Sequence, residues 1–258
     1  AMNQLVNMVA VARFGSAGKI KVPLVIRAVI GRGWGQGFQH SKSMQGIFTH
    51  IPGLKVVMPA SAYDVKGLLT SSIRDDNPVI FLEHRWLYWL EGNVPKKPYT
   101  VPLGKARVVR RGRDVTVVAT SWMNVEAYKA AEILERKQGV QVEIIDPRTI
   151  YPLDEETILK SARKTGNVIV ADYDWEFCGF SAEIAARISD KLFGKLKSPV
   201  TRIAFPHTHC ATTRPLENVF YPNAVTIIKT VEKKLKLKPT NLAGEEFYSW
   251  ENRFKGPF

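Results

Sequence analysis

Short apolar runs of strand length alternate along the chain with segments whose apolar residues recur at helical spacing. The run Pro23 to Ile30, "PLVIRAVI", is followed by a glycine-rich stretch, by "HSKSMQGIFTHI", and by a second apolar run, "LKVVMPA". Ser61 opens the next helix. With Asp64 three residues on, it forms an S-x-x-D capping box, and Val65, Leu68, Leu69 and Ile73 share one face. "NPVIFLEH" reads as the third strand. From Glu91 to about Arg113 the periodicity stops, and Pro95, Pro98 and Pro102 suit an extended connection. Alternation then resumes. "VTVVAT" is a strand, Asn124 caps a helix through "VEAYKAAEILERKQ" that closes at Gly139, and "VQVEIID" is the next strand. Asp154 caps "EETILKSARK", which ends at Gly166. "NVIVADYD" follows, and a last helix, "SAEIAARISDKLFGKL", lines up Ile184, Ile188, Leu192 and Leu196. This order predicts an α/β chain of two units, each a mostly parallel sheet covered by helices. The expected bounds are 1–104, with the proline-rich linker from about 91, then 105–238, then a tail over 239–258.

Ligands of open parallel sheets bind beyond the carboxyl ends of the strands, and "GRGWGQGFQHSKS", Gly31 to Ser43, directly follows a strand. Glycines there let the backbone approach a ligand or another segment closely and admit left-handed conformations. A plain turn would also use them. His40, at the end of the run, titrates near neutrality as a proton-transfer group does; alternatively it caps a helix starting at Ser41. His50, at a helix end, and His84, at a strand end, are expected to be structural.

Composition narrows the classes. The chain has 258 residues, 45% of them hydrophobic, enough for sizeable cores. No apolar run reaches the length of a membrane span, and "AMNQLVNMVAVARFGSAGK" lacks the features of a signal peptide. Cys178 and Cys210 are too few for a disulfide framework, so a reducing interior is expected. The net charge of +13 is spread along the chain, with concentrations at 105–113 and at "VEKKLKLK" that lack interleaved aromatics. This argues for a solvated basic surface with attraction for acidic partners, and against a nucleic-acid platform.

Two long segments carry a family resemblance: "QHSKS…HIPGLKVVMPASAYDVKGLLTSSIRDDNPVIFLEH" and "DVTVVAT…VEIIDPRTIYPLDEETILKSARKTGNVIVADYD…GFSAEIAARI". They resemble the β subunit of the thiamine-diphosphate-dependent E1 component of 2-oxo acid dehydrogenase complexes, over about Asn3 to Lys236. The resemblance implies a partial pyrimidine-binding domain followed by a transketolase-type C-terminal domain. The glutamate that activates the cofactor's aminopyrimidine is expected in an N-terminal part outside this sequence, so no cofactor-binding residue is named. The implied function is decarboxylation of a 2-oxo acid, pyruvate or branched-chain, with reductive acylation of a lipoyl-bearing E2 partner. An E1 α subunit, in an α2β2-type heterotetramer, would hold the diphosphate and Mg²⁺. His40 matches the family's active-site histidine near the thiazolium and the lipoyl group. "SSIRDDNP" resembles the family's potassium loop, implying Leu24, Ser72, Ile73, Asp75 and Asn77 as ligands, whereas the same residues also suit an ordinary helix end.

A cytoplasmic location is implied, or the mitochondrial matrix in a eukaryote, with neither nucleic acid nor membrane as partner. Rival readings are a split transketolase or deoxyxylulose-phosphate synthase half and a non-catalytic assembly subunit. The chain departs from the family pattern at "FPHTHCATTRPLE". His207, His209 and Cys210 there lack the second cluster a zinc site needs, so a loop with altered contacts is expected. Phe247, Tyr248, Trp250, Phe254 and Phe258 make the tail aromatic, as for a docking segment or a disordered end.

Overall fold

The computed structural model describes residues 1–31 and 35–248. Two short helices, α1 (Met2–Gln4) and α2 (Ala12–Gly15), flank a π-helical stretch at Leu5–Val9. The first unit continues with β1 (Val25–Ile30), α3 (Gly37–His40), α4 (Gln45–Thr49), β2 (Lys55–Val57), α5 (Ala62–Ile73) and β3 (Val79–His84). After the connection come β4 (Arg107–Arg110), β5 (Val115–Ala119), α6 (Met123–Gln138), β6 (Val142–Asp146) and β7 (Thr149–Tyr151). The chain then forms α7 (Glu155–Thr165), β8 (Val168–Trp175), α8 (Phe180–Lys191), β9 (Thr201–Phe205), α9 (Arg214–Phe220) and α10 (Ala224–Leu235).

Two sheets result, β1-β3-β2-β7 and β4-β6-β5-β8-β9. Strands β1, β3 and β2 are parallel, as are β6, β5, β8 and β9. β3 and β5 are buried along their whole length, which is why they read as continuous apolar runs. β7 pairs antiparallel with β2, so residues beyond 104 complete the first sheet. Its three residues are too few to show a period, and Arg148, at φ 57°, makes the reversal that delivers them.

Several helix ends follow local rules. Ser61 accepts from the Asp64 N–H, Asp154 accepts from the Thr157 N–H, and Gly139 and Gly166 close α6 and α7 in the left-handed conformation. Asn124 does not cap α6. The turn at Ser121, φ 46°, starts that helix two residues earlier, and the Asn124 amide instead donates to the Ala119 carbonyl at 2.6 Å. The last helix face is shorter than expected: α8 ends at Lys191, Leu192 is its cap, and Leu196 packs on the core from the following segment.

The units share a core. Leu54, Val56, Ile80 and Leu82 of the first unit belong to one apolar cluster with Val118, Ile145, Val168 and Val170 of the second. Each such side chain contributes roughly 1.5–3 kcal/mol on burial, so the two sheets are held together as one body. A second cluster lies under α6 and α10 around Trp122, Tyr173, Phe205 and Tyr221.

Candidate active site at the junction of the two units

The loop after β1 is built on a buried histidine. Gly31 stands at φ 80°, and a Cβ there would overlap the His84 imidazole. His84 is fully buried, accepts from the Trp86 N–H at 3.2 Å, and packs its ring on Trp122 and Tyr173 at 5.9 and 5.4 Å. It forms the floor of the loop. The Gly31 N–H donates to the Lys42 carbonyl at 3.0 Å, tying the two ends of the loop together. Gly37, at φ 62°, lies against the second unit: its added Cβ would stand 2.6 Å from Thr212 Oγ1. His40 is the last residue of α3 and is exposed. The helix imagined to start at Ser41 is absent; Ser41 to Met44 are non-helical, so His40 caps nothing there.

Below His40 the chain is clamped to the second unit. Ser41, Ser43 and Gln45 point inward at every second position and are each at most 2% exposed. The Tyr221 hydroxyl donates to the Ser41 carbonyl at 3.4 Å. The Gln45 amide donates to Asp172 Oδ1 at 2.9 Å and to the Tyr173 carbonyl at 3.1 Å. Asp174 accepts from the Gly46 and Phe180 N–H groups at 3.2 and 3.4 Å, so one carboxylate serves the first turns of both α4 and α8. Thr120 donates to Asp172 as well. Burial first, then the charge of Asp174, pushes the Asp172 carboxyl up to about 7; burial also raises Asp174. Ser41 Oγ, Ser43 Oγ, Gln45 Oε1, Ser121 Oγ and Asp172 Oδ2 are buried without a hydrogen-bond partner among the described residues.

Asp172, Asp174 and Gln45 escaped the sequence-based expectation. The signal available was two carboxylates at the carboxyl end of an otherwise apolar parallel strand, "NVIVADYD". A second set also bridges the units. Asp64, 1% exposed, takes Arg148 at 2.9 Å on one oxygen and Arg107 at 3.2 Å on the other. A cavity of about 370 Å³ lies on the first sheet over Arg27, Glu83 and Tyr88. Glu83 accepts there from Arg27 and from the Tyr88 hydroxyl, whose pKa burial and Glu83 push up to about 12. His40 does not line it.

His50 is exposed at the end of α4. His207 and His209 are exposed while Cys210 is buried, its thiol toward the Ala211 carbonyl at 3.4 Å. Among the described residues no three His, Cys, Asp or Glu side chains gather to hold a metal. In the loop expected to hold potassium, the Leu24 carbonyl accepts from the Val79 N–H at 2.8 Å and the Ser72 carbonyl from the Asp75 N–H at 3.3 Å. Asp75 accepts from the Asn77 side chain at 2.8 Å and pairs with Lys55 at 2.5 Å, contacts that hold its pKa below the usual range against burial. Phe247 and Tyr248 pack on the second unit's core, Tyr248 meeting Trp122 edge-on at 5.1 Å. Trp250, Phe254 and Phe258 lie outside the described residues.

Residues 2–89 match the transketolase pyrimidine-binding domain, and residues 104–227 match the transketolase C-terminal domain. Over 234 residues the chain is 42% identical to the β subunit of acetoin:2,6-dichlorophenolindophenol oxidoreductase from Cupriavidus necator, covering 91% of this chain and 69% of that protein. Against the Bacillus subtilis pyruvate dehydrogenase E1 component subunit beta it is 39% identical, covering 91% and 72%. The chain belongs to the E1 β-subunit family of thiamine-diphosphate-dependent dehydrogenases. The 2-oxoisovalerate dehydrogenase subunit beta of B. subtilis is 40% identical, with 86% of this chain and 68% of that protein covered. This E1 β chain therefore spans about two thirds of the length of these relatives. A solved structure described as split gene transketolase, inactive beta4 tetramer, shares the fold at TM-score 0.69 and 23% identity, over 93% of this chain and 72% of that one. No described helix of the E1 β chain is long and apolar enough to cross a membrane. Toward thiamine diphosphate the described residues present an exposed imidazole, His40 at the end of α3, next to the buried polar groups of Ser41 and Ser43. Among the described residues there is no three-ligand cradle for the metal that accompanies the diphosphate.

Proposed function

We propose that this chain is the β subunit of an E1 enzyme that decarboxylates a 2-oxo acid, pyruvate or a branched-chain one, and acylates a lipoyl-bearing E2 partner. The observation that carries this reading is the placement of His40, exposed at the end of α3 between Gly37, which lies against Thr212, and Gln45, which bonds to Asp172. Bound thiamine diphosphate supplies the carbon nucleophile and electron sink for C–C cleavage. His40 holds and moves the proton: its imidazolium protonates the sulfur that leaves when the acceptor's S–S bond opens, and its neutral form takes a proton back. Gln45, Asp172 and Asp174 fix the segment that carries it, an arrangement that limits how far the imidazole can wander.

An α chain, in an α2β2-type assembly in the cytoplasm or mitochondrial matrix, would hold the diphosphate and Mg²⁺. The glutamate that activates the aminopyrimidine would come from sequence beyond this chain. The loop around Ser72, Ile73, Asp75 and Asn77, with the Leu24 carbonyl, would hold potassium through oxygen lone pairs not already taken by N–H donors.

The test is turnover by this chain alone and together with an α-type partner and the remaining β sequence, in thiamine diphosphate and Mg²⁺. Pyruvate, branched-chain 2-oxo acids and acetoin serve as donors and a lipoyl domain as acceptor; acetoin is included because the relative in C. necator is named for it. Activity is expected only in the assembled system. Turnover by the isolated chain, or transfer to sugar phosphates in place of the lipoyl domain, contradicts the proposal.

A further inference from the structure

The basic stretch "VEKKLKLK" has no part in the site described above. It forms the end of α10, where Lys229 and Lys233 are exposed one turn apart and Lys236, the left-handed cap, continues the same side. Together with Ser198, Pro199 and Thr201 these lysines line a groove of about 680 Å³ that no carboxylate lines. Glu232, the acid nearest in sequence, is buried and accepts from the Thr240 N–H at 2.7 Å. Lys234, half-buried, also lines the groove, and among the described residues its ammonium donates to neutral acceptors, the Pro199 carbonyl at 2.7 Å and Ser198 Oγ at 3.0 Å. Burial lowers its pKa, as expected for a cation that no carboxylate compensates.

The other wall is the segment Ser198 to Thr201, which leads into β9, the last strand of its sheet among the described residues. We propose that the groove between α10 and the segment Ser198 to Thr201 docks an extended acidic peptide segment of a partner protein. Charge complementarity names the sign. The shape names the class: Lys229 to Lys236 spans about 10 Å of helix axis, the reach of about three residues of extended chain, and the lining carries no aromatic or arginine on which bases could stack. Val225 and Pro199 give apolar footing for the side chains between the acidic ones.

A labelled peptide of glutamate alternating with serine, titrated into the chain at low ionic strength and followed by fluorescence anisotropy, tests this. Lys229→Gln/Lys233→Gln/Lys236→Gln is expected to weaken binding at least about tenfold. Lys19→Gln/Lys96→Gln/Lys97→Gln, which removes the same charge elsewhere, is expected to change it less than about twofold. Both sets lie on the exposed surface, and an unchanged thermal midpoint confirms the fold of each. No measurable binding by the parent, equal loss in the two variants, or tighter groove-dependent binding of a single-stranded oligonucleotide of equal charge overturns the proposal.

Discussion

Gly31 and His84 show how the site depends on single atoms. The imidazole occupies the space a Cβ at Gly31 would need, and φ at that position is 80°. Gly31→Ala therefore meets both a steric and a backbone penalty, and the ring it would displace is packed between Trp122 and Tyr173. The expected loss is about 2 kcal/mol or more in denaturant unfolding; a variant as stable as the parent contradicts this packing. The glycine was legible in the sequence as a place for close approach, yet what it approaches was not, because His84 is 53 residues away along the chain. Asp64 carries a similar lesson. Its capping role is local and readable, whereas its bracketing by Arg107 and Arg148 is tertiary.

The segment from Ser41 to Gln45 links the first unit to β8, and its chemistry makes the link respond to pH. Asp172, with a folded value of about 7 against an ordinary 3.8, binds its proton more tightly in the folded protein than in the unfolded chain. Its contribution to stability is complete below about pH 4 and is lost as pH rises to about 7. Asp172→Asn keeps the shape and removes the titration, so its thermal midpoint is expected to fall less than the parent's between those limits; parallel curves contradict the assignment. In the loop proposed to hold potassium, the Lys55 ammonium already pairs with Asp75. Lys55→Met is expected to strengthen stabilisation by potassium at constant ionic strength, and a variant that responds as the parent does removes the cation from the loop. Caps at Ser61, Asp154, Gly139 and Gly166 were readable because each depends on a few adjacent residues. β7 and the start of α6 were not, since a three-residue strand and a left-handed Ser121 leave no periodic trace.

At the scale of the molecule, the alternation of apolar runs revealed two parallel sheets but not that they share a core and a strand. Leu54 and Val56 pack with Val168 and Val170, β7 crosses to the first sheet, and Gln45 and Gly46 bond to Asp172 and Asp174, so the segment after His40 is held by the second unit. That hold is what the proposed proton-transfer role requires, because a donor must keep its place within a hydrogen bond's reach of the reacting atom. The most direct measurement is the rate at which a lipoyl domain is reductively acylated by the assembled E1, comparing the parent with His40→Ala at matched thermal midpoints. The account expects the variant to be about 10²-fold slower or more; an unchanged rate would show that the exposed imidazole takes no part in the reaction.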